Sequence, residues 1–99
     1  MADTDALVIE REEGPSKGRY VVRLDRSEAQ MTYSRAGAGL IIIDHTEVPQ
    51  ALRGRGIGEA MVARGVADAR REGKKVVPLC PYARAQIMKH PEWQDVLDR

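Results

Sequence analysis

The first half of the chain alternates between apolar and polar side chains with the two-residue period of β-strands. The predicted strands occupy residues 6–10, 19–24, 29–34 and 40–48. The last of these opens on an apolar run, which is typical of a buried central strand. Turn-rich segments, among them residues 12–18 and 36–39, keep the connections short. Short connections between successive strands predict an antiparallel meander.

The apolar period changes to that of an α-helix from residue 57 onward. The apolar or small residues at helical spacing are Ile57, Met61, Gly65, Val66 and Ala69, with Val62 adjoining them. Arg70 and Arg71 suit the negative end of the helix dipole, and Gly73 suits the position just past the helix end. Residues 75–79 then form a predicted strand, so the strand, helix and strand make a parallel crossover.

Pro78 matters for the predicted sheet because its nitrogen carries no hydrogen and cannot pair fully with a neighbouring strand. If strands 40–48 and 75–79 lie side by side, they should separate near this residue. A gap at the carboxyl ends of two parallel strands is where α/β proteins bind ligands. A second helix should run over residues 81–89, with one or two helical turns within residues 91–98. The predicted α/β fold is a mixed, mostly antiparallel sheet with a splayed parallel pair and two to three helices.

Residues 48–58, which join the predicted central strand to the long helix, carry the most chemical information. The segment contains three alternating glycines, Gly54, Gly56 and Gly58. Glycines let a ligand approach the backbone closely, and the N–H groups at the start of a helix favour an anion. Arg53 and Arg55 add charge-assisted donors, although the spacing differs from a Walker loop and from the dinucleotide fingerprint. The segment is therefore either a phosphate cradle or a flexible turn with solvated arginines.

The composition fits one small domain over residues 1–99, since 42% of the residues are hydrophobic and 31% are charged. One cysteine excludes an internal disulfide, and no apolar run is long enough to cross a membrane. The chain start lacks the basic and apolar blocks of a signal peptide, so we expect a cytoplasmic protein. The formal net charge of +1 argues against a dedicated nucleic-acid binder. The basic excess lies in the second half of the chain, and the preponderance of arginine over lysine reflects either phosphate contacts or a genome that favours arginine codons.

Several short stretches resemble one enzyme superfamily. The pattern Arg53-x-x-Gly56-x-Gly58 follows a strand and opens a helix, and it resembles the acetyl-CoA pyrophosphate motif of the GNAT N-acetyltransferases. The residues His-Thr-Glu-Val at 45–48, Cys-Pro-Tyr at 80–82 and His-Pro-Glu at 90–92 resemble its short single-domain members, which have a Cys-x-Tyr motif. The similarity covers residues 40–97, and the strands before it agree in pattern only.

The resemblance implies that acetyl-CoA lies in the gap between the two parallel strands. Its pantetheine arm would bond to the backbone near Glu47 and Val48, like an added strand. Its pyrophosphate would meet a loop formed by Arg53, Gly54, Arg55, Gly56, Ile57 and Gly58. Typical family members have two helices after the first strand that help to cover the acceptor. Here residues 11–18 are predicted as a loop alone, which favours an amine on a large acceptor such as a protein.

Amine acetylation needs a base for the ammonium proton, a donor for the carbonyl oxygen and an acid for the departing thiolate. Glu47 could take the amine proton, and His45, on the same strand face, could relay it. Cys80 would lie at a helix N-terminus, where it could accept the acetyl group or lie unreacted beside the coenzyme. Tyr82 could protonate the thiolate. Each residue also has a structural alternative: a solvated carboxylate, a hydrogen-bonded histidine, a small buried thiol or a packed ring.

Two functional hypotheses follow from the resemblance. The first is an acetyl-CoA-dependent N-acetyltransferase of minimal size, and the second is a coenzyme A binding or sensing module without physiological transfer. No metal site is expected, because the cysteine and the two histidines lack ligand spacing. RNA binding is disfavoured because the chain has no aromatic stacking motif. We expect a monomer or weak dimer without membrane attachment, whose amine acceptor the sequence does not identify.

Overall fold

A computed structural model describes residues 7–98 of the chain. Its strands are β1 (Glu10–Glu13), β2 (Lys17–Leu24), β3 (Ser27–Ala36), β4 (Leu40–Glu47) and β5 (Lys75–Pro78). Its helices are α1 (Ile57–Glu72) and α2 (Pro81–Lys89), with 3-10 segments at Gln50–Leu52 and Pro91–Val96. Within residues 7–98, no helix is long and apolar enough to cross a membrane.

The five strands lie in the sheet in the order in which they follow one another along the chain. The first four pair antiparallel, and β5 pairs parallel with β4, with Leu40 beside Lys75 and Ile43 beside Pro78. Helix α1 makes the crossover between these two parallel strands. The predicted meander, the parallel crossover and the mixed α/β fold are therefore confirmed.

The core lies between α1 and the inner face of the sheet. The buried residues of α1 include Ile57, Met61, Val62, Val66 and Ala69, which confirms the predicted helical face. They pack against a layer of buried strand residues that includes Tyr20, Met31, Tyr33, Ile41 and Ile43. Gly65 allows α1 to approach closely, because a Cβ there would lie 3.1 Å from the Cε of Met31.

The prediction of a loop over residues 12–18 is wrong at both ends. Glu12 and Glu13 belong to β1, and β2 already begins at Lys17. The predicted first strand over residues 6–10 is also displaced: its residue 6 lies outside the described residues, and β1 starts only at its last position. An apolar pattern misses β1 because its cross-strand contacts are ionic. The ion pairs with β2 are Arg19–Glu12, Arg23–Glu10 and Arg23–Glu12.

A buried carboxylate ties α1 to the strands, and nothing in the hydrophobic pattern indicates it. Asp68 is 1% exposed, accepts a hydrogen bond of 2.8 Å from the Tyr20 hydroxyl, and pairs with Arg11 of β1 at 3.3 Å. Arg64 and Arg71, from α1 itself, complete its surroundings. Burial raises the pKa of Asp68, but the hydrogen bonds from Tyr20 and Arg71 outweigh it and hold that pKa below its ordinary value.

Candidate functional site

Strands β4 and β5 separate just after Pro78. The last paired residues are Ile43 and Pro78. The carbonyl oxygen of Ile43 then accepts hydrogen bonds from the N–H groups of both Leu79 and Cys80, each at 3.1 Å. Beyond this point β4 continues to Glu47, whereas the chain after β5 turns into α2. The predicted separation near Pro78 is confirmed, and among residues 7–98 no strand pairs with this edge of β4 beyond Ile43.

A cavity of about 380 Å³ opens beside this separation. It lies where the end of β4, the following loop, the N-terminus of α1 and the start of α2 meet. The lining residues are Thr46, Val48, Leu52, Arg53, Gly54, Gly56, Ile57, Gly58 and Tyr82. The loop singled out by its glycines therefore forms one wall of the cavity.

The loop holds its glycines in conformations that other residues rarely adopt. Gly54 and Gly56 have φ angles of 82° and 73°, and a Cβ at either would meet nothing within 4 Å. Gly56 is the N-cap of α1 and provides no side-chain hydrogen bond to the first turn. Leu52, fully buried in the 3-10 turn, anchors the loop to the core. An anion in the cavity would thus meet backbone N–H groups at a helix N-terminus.

The third glycine has a different role, which is to make room for an aromatic ring. A Cβ on Gly58 would lie 2.4 Å from the hydroxyl oxygen of Tyr82, so the ring packs directly on this helix turn. Burial raises the pKa of Tyr82 above its ordinary value, and the charge of Glu59 raises it further. The Tyr82 phenol therefore stays protonated at neutral pH and can donate a proton at the cavity wall.

The two loop arginines point in different directions. Arg53 lines the cavity, and its Nε donates a hydrogen bond of 3.2 Å to the carbonyl oxygen of Val48. Arg55 is not among the lining residues and instead forms a 2.9 Å ion pair with Asp25 in the turn between β2 and β3. Only Arg53 of the pair thus contributes to the cavity wall.

Cys80 lies at the N-cap of α2 and is buried, with 4% of its surface exposed. Its thiol donates a hydrogen bond of 3.4 Å to the hydroxyl of Thr46, which lines the cavity. This contact joins the end of β4 to the start of α2 across the separated strands. Sequence reasoning did not single out Thr46, although it lies inside the His-Thr-Glu-Val stretch.

A bulge in β4 decides which side chains face the cavity. The register between β3 and β4 shifts so that Tyr33 pairs with Ile43 and Thr32 with His45, which leaves Asp44 as the extra residue. Thr46 consequently lies opposite the buried Met31, on the side of the sheet that the helices cover.

The same bulge turns His45 and Glu47 together onto the other face of the sheet. His45 lies opposite Thr32, and Glu47 lies opposite Gln30, whose amide donates a hydrogen bond of 3.2 Å to the Glu47 carboxylate. Both side chains are exposed and neither lines the cavity. The structure brings together Thr46, Cys80 and Tyr82 and places the two candidate proton acceptors across β4 from them. Among residues 7–98, no group of three or more His, Cys, Asp or Glu side chains could hold a metal ion.

A model of the GCN5-related N-acetyltransferase family matches residues 19–96, which is most of the chain. The chain belongs to this family. Among curated proteins, it is 28% identical to chicken Protein NATD1 over 85 residues, covering 84% of this chain and 77% of that protein. It is 29% identical to human Protein NATD1 over 75 residues, covering 74% of this chain and 66% of that protein.

A solved structure supports the same assignment. The NMR structure of a GCN5-like candidate N-acetyltransferase from Staphylococcus aureus superposes with a TM-score of 0.68 at 29% sequence identity. The match covers 90% of this chain and 87% of the bacterial one. The family model and the solved structure together place the chain in the N-acetyltransferase class of enzymes.

Proposed function

We propose that this acetyltransferase moves the acetyl group of acetyl-CoA to a primary amine at the separated ends of β4 and β5. The observation that carries the proposal is the coincidence of three features in one place. These are a strand edge without a partner, an uncapped helix N-terminus and a cavity that both of them border. Amides of an extended arm can pair with the strand edge, and a phosphate can accept hydrogen bonds at the helix N-terminus.

The residues present fit this coenzyme. The backbone around Glu47 and Val48 would hold the pantetheine arm, and the N–H groups from Gly54 to Gly58 would hold the pyrophosphate. Arg53, already at the cavity wall, adds a positive charge. Acetyl-CoA supplies the activated acetyl group as a thioester. The protein contributes by aligning that group with the amine, which by itself removes much of the barrier.

The proton transfers divide between the two sides of β4. On the cavity side, Tyr82 is the proposed donor to the departing thiolate, because it lines the cavity and its phenol is protonated at neutral pH. On the other side, Glu47 is the proposed base for the incoming ammonium group, with His45 as a relay. The amine would therefore approach from the sheet face without helices. Only a short turn joins β1 to β2, which supports an acceptor as large as a protein.

A measurement of catalytic turnover distinguishes an acetyltransferase from a coenzyme A binding or sensing module. We expect release of the free coenzyme thiol when acetyl-CoA is incubated with a panel of lysine peptides, polyamines and small amines. The rate should rise above the rate of acetyl-CoA hydrolysis with at least one amine. Binding of acetyl-CoA without amine-dependent thiol release across the panel would support the sensing module instead.

Changing Tyr82 to phenylalanine should reduce kcat about tenfold and leave KM for acetyl-CoA unchanged. The phenylalanine ring keeps its place against Gly58 but has no proton to give. The effect is modest because a thiolate is a good leaving group that needs little help from an acid. Steady-state kinetics with a saturating amine measure both constants. An unchanged kcat would exclude Tyr82 as the donor, and a raised KM would make it a binding residue.

Changing Cys80 to alanine should leave amine acetylation within about tenfold of the unmodified protein. The thiol is buried and engaged with Thr46, so direct attack of the amine on the thioester is the favoured route. Intact-protein mass spectrometry after incubation with acetyl-CoA should show no acetyl group on Cys80. An adduct that disappears in Cys80→Ala, together with loss of transfer, would establish the covalent route instead.

A further inference from the structure

The turn between β2 and β3 reaches the loop that leads into α1. Asp25 and Arg26 form this turn with φ angles of 51° and 64°, in the left-handed region. The carboxylate of Asp25 lies 2.9 Å from the guanidinium of Arg55. This contact is an ion pair between the hairpin and the loop, and both partners are substantially exposed, at 62% and 44% of their side chains.

Arg55 lies in the loop that would bind phosphate, but its side chain points away from the cavity. It lies between Gly54 and Gly56, the two left-handed glycines that border the cavity. Its guanidinium nevertheless points away from the cavity toward the hairpin carboxylate. An exposed ion pair of this kind is weak, so a more highly charged anion can replace the carboxylate. A phosphate offers more charge and a bidentate geometry that suits arginine.

We propose that Asp25 sets the affinity of this site for the phosphates of its ligand by competing with them for Arg55. The inference rests on the proposed function, since the ligand is the phosphate-bearing coenzyme. In the free protein, Asp25 holds Arg55 outside the cavity, and the bound phosphates take the guanidinium over. Each binding event must therefore break the Asp25–Arg55 pair. The apparent association constant is the intrinsic constant multiplied by the fraction of molecules in which the pair is open.

The test is isothermal titration calorimetry with acetyl-CoA on the whole chain and on Asp25→Asn. Asparagine removes the charge but adopts the left-handed conformation as readily as aspartate, so the turn is kept. Since exposed pairs are weak, we expect Asp25→Asn to bind acetyl-CoA about two- to fivefold more tightly. In an Arg55→Ala background, which still has the loop N–H groups and Arg53, the Asp25→Asn substitution should produce no gain in affinity for acetyl-CoA.

A matched control removes an equal charge from the same hairpin. Glu28 pairs with Arg19 and Arg23 rather than with Arg55, so Glu28→Gln should leave the affinity close to that of the unmodified protein. Weaker or unchanged binding by Asp25→Asn would overturn the proposal, as would an equal gain in Glu28→Gln or in the Arg55→Ala background. Failure of the unmodified protein to bind acetyl-CoA would instead overturn the proposed function, and this inference with it.

Discussion

Replacing Asp68 with alanine should lower the free energy of unfolding by about 3 kcal/mol or more. The substitution leaves the hydroxyl of Tyr20 buried without its acceptor and removes the carboxylate that faces Arg11, Arg64 and Arg71. Breaking one partner of a buried ionic network costs far more than losing a surface pair, because the remaining groups stay desolvated. Urea denaturation at pH 7, followed by circular dichroism, measures the difference.

The contribution of Asp68 to the free energy of unfolding should also depend on pH. Because the folded protein lowers the pKa of Asp68, its stabilising contribution is complete above the unfolded pKa of about 3.9. The contribution is lost as the pH falls through the folded pKa. The stability difference between the unmodified protein and Asp68→Ala should therefore shrink in acid, which denaturation at several pH values between about 2 and 7 would show.

Asp95 provides the control for this prediction. Asp95 forms an exposed ion pair of 2.6 Å with Arg70, and Arg70 lies on α1, as Asp68 does. Asp95→Ala removes the same chemical group, but water replaces the lost partner, so the change in stability should be much smaller. Equal losses in the two variants would show that Asp68 acts as an ordinary surface charge.

The sequence carries the main elements of the fold because their signals are local. The change from a two-residue to a helical period separates the strands from α1, and Gly73 ends the helix in the left-handed conformation expected of a C-cap. The separation of β4 from β5 is predictable for the same reason. A proline is a local signal that a strand is close to its end, and the last residues that pair between β4 and β5 are Ile43 and Pro78.

The parts that sequence reasoning missed depend on contacts between distant residues. Strand β1 has little apolar character, and its place is fixed by arginines of β2. The partners of Asp68 include Arg11, 57 positions away, which no helical period can reveal. A carboxylate at that position looks like any polar residue of an amphipathic helix.

The bulge at Asp44 decides which side chains of β4 face the candidate site, and the sequence does not reveal it. Strict alternation from Ile41 and Ile43 would put His45 and Glu47 on the buried side of β4. The extra residue reverses the alternation, so Thr46 meets Cys80 while His45 and Glu47 turn away. A one-residue bulge leaves no mark in the hydrophobic pattern here, because the residues after Ile43 are polar on both faces.

Replacing Gly56 with leucine should weaken acetyl-CoA binding at least 100-fold, which corresponds to about 2.7 kcal/mol. Gly56 has a φ of 73° at the N-cap of α1 and borders the cavity. A leucine there strains the left-handed backbone and places a bulky side chain where a phosphate would approach the helix N–H groups. The affinity loss is measured directly by isothermal titration calorimetry.

The opposite end of the same helix provides a matched control. Gly73, the C-cap of α1, has a φ of 71°, and a Cβ there also meets nothing within 4 Å. Gly73→Leu therefore imposes a similar backbone strain on α1, but far from the cavity.

Calorimetric titration of acetyl-CoA into the unmodified protein, Gly56→Leu and Gly73→Leu tests the central claim most directly. The account predicts one saturable site in the unmodified protein, nearly the same affinity in Gly73→Leu and loss of binding in Gly56→Leu. Absence of binding to the unmodified protein, or equal affinities in the two leucine variants, would contradict a coenzyme site at the N-terminus of α1.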